Sequence, residues 1–172
     1  VFVSSTTAYV ANFASGLRDI DVRDPTAPRE IGALGTPGWA VAVFVSGTTA
    51  YVASSEFGLR VVDVRDPTAP REVGALYTPG DALGVFISGT TAYVANGGAG
   101  LRVIDVRDPT APRELAALDT PGWATGVFVS GSTAYVAAES AGLRIIDVHD
   151  PTTPRELGAL DTPGWATDVF VS

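Results

Sequence analysis

The sequence predicts an all-β chain made of four successive blades, each of four antiparallel strands, and three observations support this. Phe2, Phe44, Phe86, Phe128 and Phe170 stand 42 residues apart, and Tyr9, Tyr51, Tyr93 and Tyr135 keep the same step without an insertion. Within every copy, β-branched and aromatic runs alternate with Gly- and Pro-bearing breaks. No stretch carries the apolar period of about 3.6 residues that marks an amphipathic helix.

Internal repetition outranks local signals. The blades are expected at residues 1–42, 43–84, 85–126 and 127–168, with residues 169–172 opening a fifth copy. In the third copy, Val85-Phe86-Ile87-Ser88 and Thr91-Ala92-Tyr93-Val94-Ala95 are two strands joined through Gly89-Thr90, a short hairpin turn. A third strand, Leu101 to Val106, follows Gly98-Ala99-Gly100. A fourth, Glu114 to Leu118, follows Asp108-Pro109-Thr110-Ala111-Pro112. That last segment suits a type I turn, with Asp108 capping the backbone and Pro109 pre-set at the second position.

Along the third strand, Leu101, Val103 and Asp105 point one way and Arg102, Ile104 and Val106 the other, so both faces carry apolar bulk. A sheet apolar on both faces must be covered on both. Sheets stacked face to face around an axis do this, and four strands in about 40 to 45 residues is the usual length of a β-propeller blade. The Val-Phe-Val-Ser strand is expected innermost, with the Asp-Pro turns on the lower rim. Four blades complete by Asp168 make the chain a segment of a larger ring, or an arc that closes by self-association; a closed four-bladed ring is the alternative.

The stretch Gly100-Leu-Arg-Val-Ile-Asp-Val-Arg-Asp-Pro-Thr-Ala-Pro112, with the Thr-Ala-Tyr-Val-Ala strand before it, resembles the LVIVD repeat, and the match recurs in all four copies. The resemblance implies a propeller of the secreted or cell-surface kind. It implies no single activity and supplies no catalytic residues. Asp19 departs from the pattern, standing where the other copies have Val61, Val103 and Ile145. A charge on a blade face is costly unless wet or paired, so an open end or an ion-paired acid is expected there.

Composition excludes several classes. A net charge of -8 repels nucleic acid and anionic lipid. With no Cys there is neither disulfide nor thiol nucleophile. No apolar run is long enough to span a membrane, and the amino end shows no signal-peptide pattern. His149, the lone histidine, replaces the Arg of the other copies beside the Asp-Pro turn and reads as surface variation. Asp63 and Asp66, repeated in every copy, fit no loop that wraps a cation and read as a cap and an Arg partner. No metal, cofactor or catalytic residue is expected, and the chain reads as a non-enzymatic scaffold. A structural spacer is the alternative, and a propeller hydrolase a distant one.

What varies lies on one rim. The second-to-third strand loops read Asn12-Phe13-Ala14-Ser15, Ser54-Ser55-Glu56-Phe57, Asn96-Gly97-Gly98-Ala99 and Ala138-Glu139-Ser140-Ala141. Alternating strand direction puts them beside the inter-blade links, which carry Trp39, Asp81, Trp123 and Trp165. A protein or glycan ligand is expected there, on Trp39, Asp81, Trp123, Trp165, Phe13, Glu56, Phe57 and Glu139. The Trp rings admit two placements: wedged between blades, for which Asp81 at the same position is awkward, or exposed around the axial opening.

Overall fold

Sixteen strands and no helix make up the chain, in a computed structural model that describes residues 1–172. The first blade is β1 (Phe2–Ser4), β2 (Thr7–Ala11), β3 (Leu17–Asp21) and β4 (Arg29–Leu34). The second is β5 (Ala42–Ser46), β6 (Thr49–Ala53), β7 (Leu59–Asp63) and β8 (Arg71–Leu76). The third is β9 (Gly84–Ser88), β10 (Thr91–Ala95), β11 (Leu101–Asp105) and β12 (Arg113–Leu118). The fourth is β13 (Gly126–Ser130), β14 (Thr133–Ala137), β15 (Leu143–Asp147) and β16 (Arg155–Leu160). Each blade is a separate antiparallel meander in sequence order. The first strands of blades two to four begin one residue earlier than the repeat boundaries drawn from sequence.

Every blade carries a bulge that the sequence did not announce. Asp19 lies opposite Gly32 but Ile20 opposite Glu30, so Ile31 is an extra residue in the outer strand. The same shift recurs in the other three blades. A bulge increases local twist, and here it bends each outermost strand, the one with a free edge.

The inner strands stack along the chain through their Phe rings. Phe2–Phe44, Phe44–Phe86, Phe86–Phe128 and Phe128–Phe170 have centroids 4.7, 4.9, 4.8 and 5.1 Å apart, all inclined or edge-on. Between blades, one face meets the next. Tyr51, Leu59 and Val61 of blade two pack on Val85, Ile87, Val94 and Ile104 of blade three, and the equivalent residues make the junctions on either side.

The two terminal faces are uncovered. Val3 is 60% exposed whereas its equivalent Val45 is 5%. At the other end Leu160 is 64% exposed and Leu157 58%. The blades therefore form an open arc, not a closed four-bladed ring.

Asp19 corrects the expectation of a wet or paired acid. It lies on the face of blade one that meets blade two, in line with Tyr9 and Leu17, and is 0% exposed. Neither carboxylate oxygen has a hydrogen-bond partner. Burial pushes its pKa from 3.8 up to about 7. The open face of blade one is the opposite one, carrying Val3.

This acid has a definite sign in pH. The folded chain holds the Asp19 proton more tightly than the unfolded chain, so its contribution falls as pH rises from about 4 to about 7 and stays low above. Asp19→Val is expected to stabilise by roughly 1.5 to 3 kcal/mol above pH 7. Thermal unfolding of both chains at pH 8 and pH 4.5 checks this: the gain should shrink at the lower pH, and a loss of stability in the Val variant would reveal a specific partner for the acid.

Candidate functional site

The lower rim is built from one repeated charge device. Asp63 accepts from the Arg65 amide at 3.0 Å and from Arg71 Nη2 at 3.0 Å. Asp66 caps the turn, accepting from the Thr68 amide at 2.9 Å and its hydroxyl at 2.7 Å. These bonds to the ionised form hold both carboxyls below their usual range, Asp63 chiefly through the Arg65 amide and Asp66 chiefly through the Thr68 hydroxyl. Blades one, three and four repeat the pattern. His149 is exposed, and its amide donates to Asp147 as its Arg counterparts do. Nowhere do three or more metal-ligating side chains gather.

On the upper rim, each second-to-third strand loop is tied to the following link by an isolated bridge: Phe13 with Ala40, Ser55 with Ala82, Gly97 with Ala124 and Glu139 with Ala166. The Phe13 amide donates to Ala40 O at 2.9 Å and the Ala40 amide returns to Phe13 O at 3.0 Å. Phe13, Ser55 and Glu139 take left-handed backbone, φ 43, 42 and 42°, where blade three has Gly97 at 57°. Non-glycine residues avoid this region, so the paired bridge bonds hold a strained position. Sequence reasoning missed that strain; the signal was Gly97 in the column of Phe13, Ser55 and Glu139. A second tie comes from the loop's first residue. Asn96 is fully buried, accepts from the Thr78 hydroxyl at 2.7 Å and donates to Pro79 O, while the Ser54 hydroxyl donates to Pro37 O.

These ties settle the Trp placement. Trp39, Trp123 and Trp165 are 59, 47 and 74% exposed, so they are not wedges between blades. Nor do they ring the axial opening. The cleft there, about 440 Å³, is lined by Val1, Val43, Leu83, Val85, Val127 and their neighbours, with Asp168 its one acid. Trp39 instead meets Phe13 edge-on at 6.1 Å, and Trp123 lies over Gly97 and Gly98. Asp81, awkward for a packing role, sits partly exposed and accepts from the Ser55 hydroxyl at 3.1 Å.

The eight expected residues are therefore not brought together equally. Phe13 and Trp39 form one exposed aromatic pair, and Phe57, from the next blade's loop, lies over Gly38, the residue before Trp39, so three exposed aromatics flank the junction of blades one and two. Glu56 adjoins Phe57 on the same loop, and Asp81 is reached through Ser55. Trp123 lies apart on a later blade, and Trp165 precedes Ala166, which is bridged to Glu139.

A fixed stack of twisted antiparallel four-strand sheets, with rigid loops gathered on one rim, is the architecture of a β-propeller segment. Four LVIVD repeats match residues 1–36, 37–78, 79–120 and 121–162, and the chain belongs to the LVIVD repeat family. The family frame starts the second, third and fourth repeats in the inter-blade link, at residues 37, 79 and 121, rather than at the inner strand. Among solved structures, the computationally designed Ika8 protein superposes with a TM-score of 0.72 at 11% identity, over 96% of this chain and 49% of that one. The computationally designed Ika4 protein gives 0.69 at 9% identity, over 83% of this chain and 86% of that one. The chain thus spans about half the length of Ika8. No curated protein matches it.

Because the Trp rings stand in solvent, their emission is expected to be red-shifted and readily quenched by acrylamide. Trp39→Ala should change stability by less than about 0.5 kcal/mol, as surface substitutions do. Blue-shifted emission that resists acrylamide would contradict the exposed placement.

Proposed function

We propose that this chain is a non-enzymatic binding scaffold whose ligand, a protein segment or a glycan, docks on the upper rim. The observation that carries this is the exposed Phe13–Trp39 pair with Phe57 over the adjoining Gly38, three exposed aromatics on loops and a link tied together by backbone bridges. Exposed large aromatics are favoured binding anchors, and fixed ones lose little entropy on binding. The family resemblance supports a secreted or cell-surface setting.

The uncovered end faces favour a second role beside the first. The face of blade four carries Tyr135, Ile145 and Leu160, equivalents of residues that cover the next blade elsewhere in the arc. The face of blade one carries Val3 and Ile20, equivalents of the residues so covered. Head-to-tail association of arcs would bury both, and a purely structural spacer would need nothing more.

A screen of neutral oligosaccharides and short peptides, followed by Trp fluorescence, separates the roles. Binding is expected to quench Trp emission and to weaken at least about fivefold in Trp39→Ala, since aromatic anchors commonly contribute 1 kcal/mol or more. If no member of the screen binds and light scattering shows concentration-dependent oligomers, the spacer role stands alone. A compact monomer at high concentration would remove the association.

A further inference from the structure

We infer that the upper-rim ligand is a cationic peptide segment whose Arg or Lys side chains sit on the Phe13–Trp39 pair and the neighbouring Phe57, beside Glu56 and Asp81. This rests on the rim being the binding face.

The argument comes from where the chain keeps its charge. All eleven basic residues are Arg, and none falls on an upper loop or link. Four lie on the third strands as Arg18, Arg60, Arg102 and Arg144, each facing a Glu of the neighbouring outer strand. The other seven lie at the Asp-Pro turns and the start of the outer strands, among the eight Asp of the lower rim. Sides and bottom are therefore close to neutral. Of the net charge of -8, five acids lie on the upper loops and links, Glu56, Asp81, Asp119, Glu139 and Asp161, and the rest is Asp168, the buried Asp19 and one Asp in excess on the lower rim. Of the upper acids only Asp161 meets a cation, Arg144 Nη2 at 3.0 Å.

An aromatic surface alone accepts sugars and apolar side chains as readily as cations. Carboxylates around it change the preference. They attract a guanidinium or ammonium group from a distance and repel anionic ligands, and the ring faces hold the same cation by its charge. A neutral glycan gains nothing from those acids. The three aromatics also span two blades, so a bound segment runs across the junction toward Asp81, which the Ser55 hydroxyl holds in place.

Three probes test this on the 172-residue chain: a short peptide alternating Arg and Gly, its Glu-Gly counterpart, and cellohexaose, each followed by Trp fluorescence and calorimetry. The Arg peptide is expected to bind, to lose affinity as salt rises, and to weaken roughly fivefold in Trp39→Ala and again in a Glu56→Gln, Asp81→Asn double variant. Asp66→Asn on the lower rim should leave binding unchanged. Circular dichroism of the variants, all at partly or fully exposed positions, checks that they fold. Arg-peptide binding indifferent to Trp39→Ala would mean only that an acidic chain attracts a polycation, and would overturn the inference. Cellohexaose binding that depends on Trp39, without Arg-peptide binding, would overturn the cationic ligand and keep the rim. Silence from all three probes would overturn the cationic ligand, and a blank in the wider screen would then remove the rim as well.

Discussion

The structure depends on one constraint: every four-stranded sheet is apolar on both faces and so cannot exist alone. In blade two, Val61 and Leu59 point to one neighbour while Val52 and Val62 point to the other. Each sheet is the cover of the next, and the column of Phe rings along the inner strands closes the narrow side of each junction. Twist between neighbouring strands turns this face-to-face stacking into an arc rather than a flat pile. Wherever the stacking stops, apolar surface is left over, and this is why Val3 and Leu160 stand in solvent.

Because the core repeats, the two rims are free to differ. The lower one is constrained by its turns: an Asp accepting two bonds from the residue two places on, and another Asp bridging to Arg, satisfy the backbone where the chain reverses. The two Asp roles recur in all blades, His149 standing for an Arg in blade four, and the charges of this rim nearly cancel. In every blade the upper rim is held by the backbone bridge between loop and link, with a side-chain tie from the loop's first residue added at Ser54 and Asn96. Backbone atoms make that bridge, so side chains there are released from structural duty and can become Phe, Ser, Gly or Glu in one column and Trp or Asp in the next. Ligand recognition is best accommodated on such a rim, because a change of side chain leaves the scaffold intact.

Asp19 breaks the rule of the core rather than of the rim. The junction of blades one and two otherwise matches its counterparts, with Tyr9, Leu17 and Leu34 against Val43, Val45 and Val52. An unpartnered carboxyl buried in this junction costs stability once ionised. The same junction, with the buried acid in it, lies beneath Phe13 and Trp39.

The sequence by itself determined the repeat length, the four strands per blade, the innermost position of the Phe strand and the sharing of one rim by variable loops and Trp residues. Period, turn chemistry and alternation are local or one-dimensional properties, and a pattern repeated four times leaves little ambiguity in them. The role of Asp66 as a turn cap was legible for the same reason, its partner being two residues away. What the sequence left open depends on contacts between distant residues. Whether a Trp is wedge or surface depends on how the link crosses the loop below, which Ala40 and Phe13 decide through backbone bonds. Which face of blade one is open depends on the direction in which the blades stack, so Asp19 was assigned to solvent or a partner when it lies inside. The bulge at Ile31 and the left-handed turn at Phe13 carry no mandatory residue, since strain there is supported by hydrogen bonds from elsewhere in the fold. Bringing Phe13, Trp39 and Phe57 from two loops and a link to one junction was a matter for the tertiary structure alone, because the distance between blades is fixed by sheet packing and not by the chain.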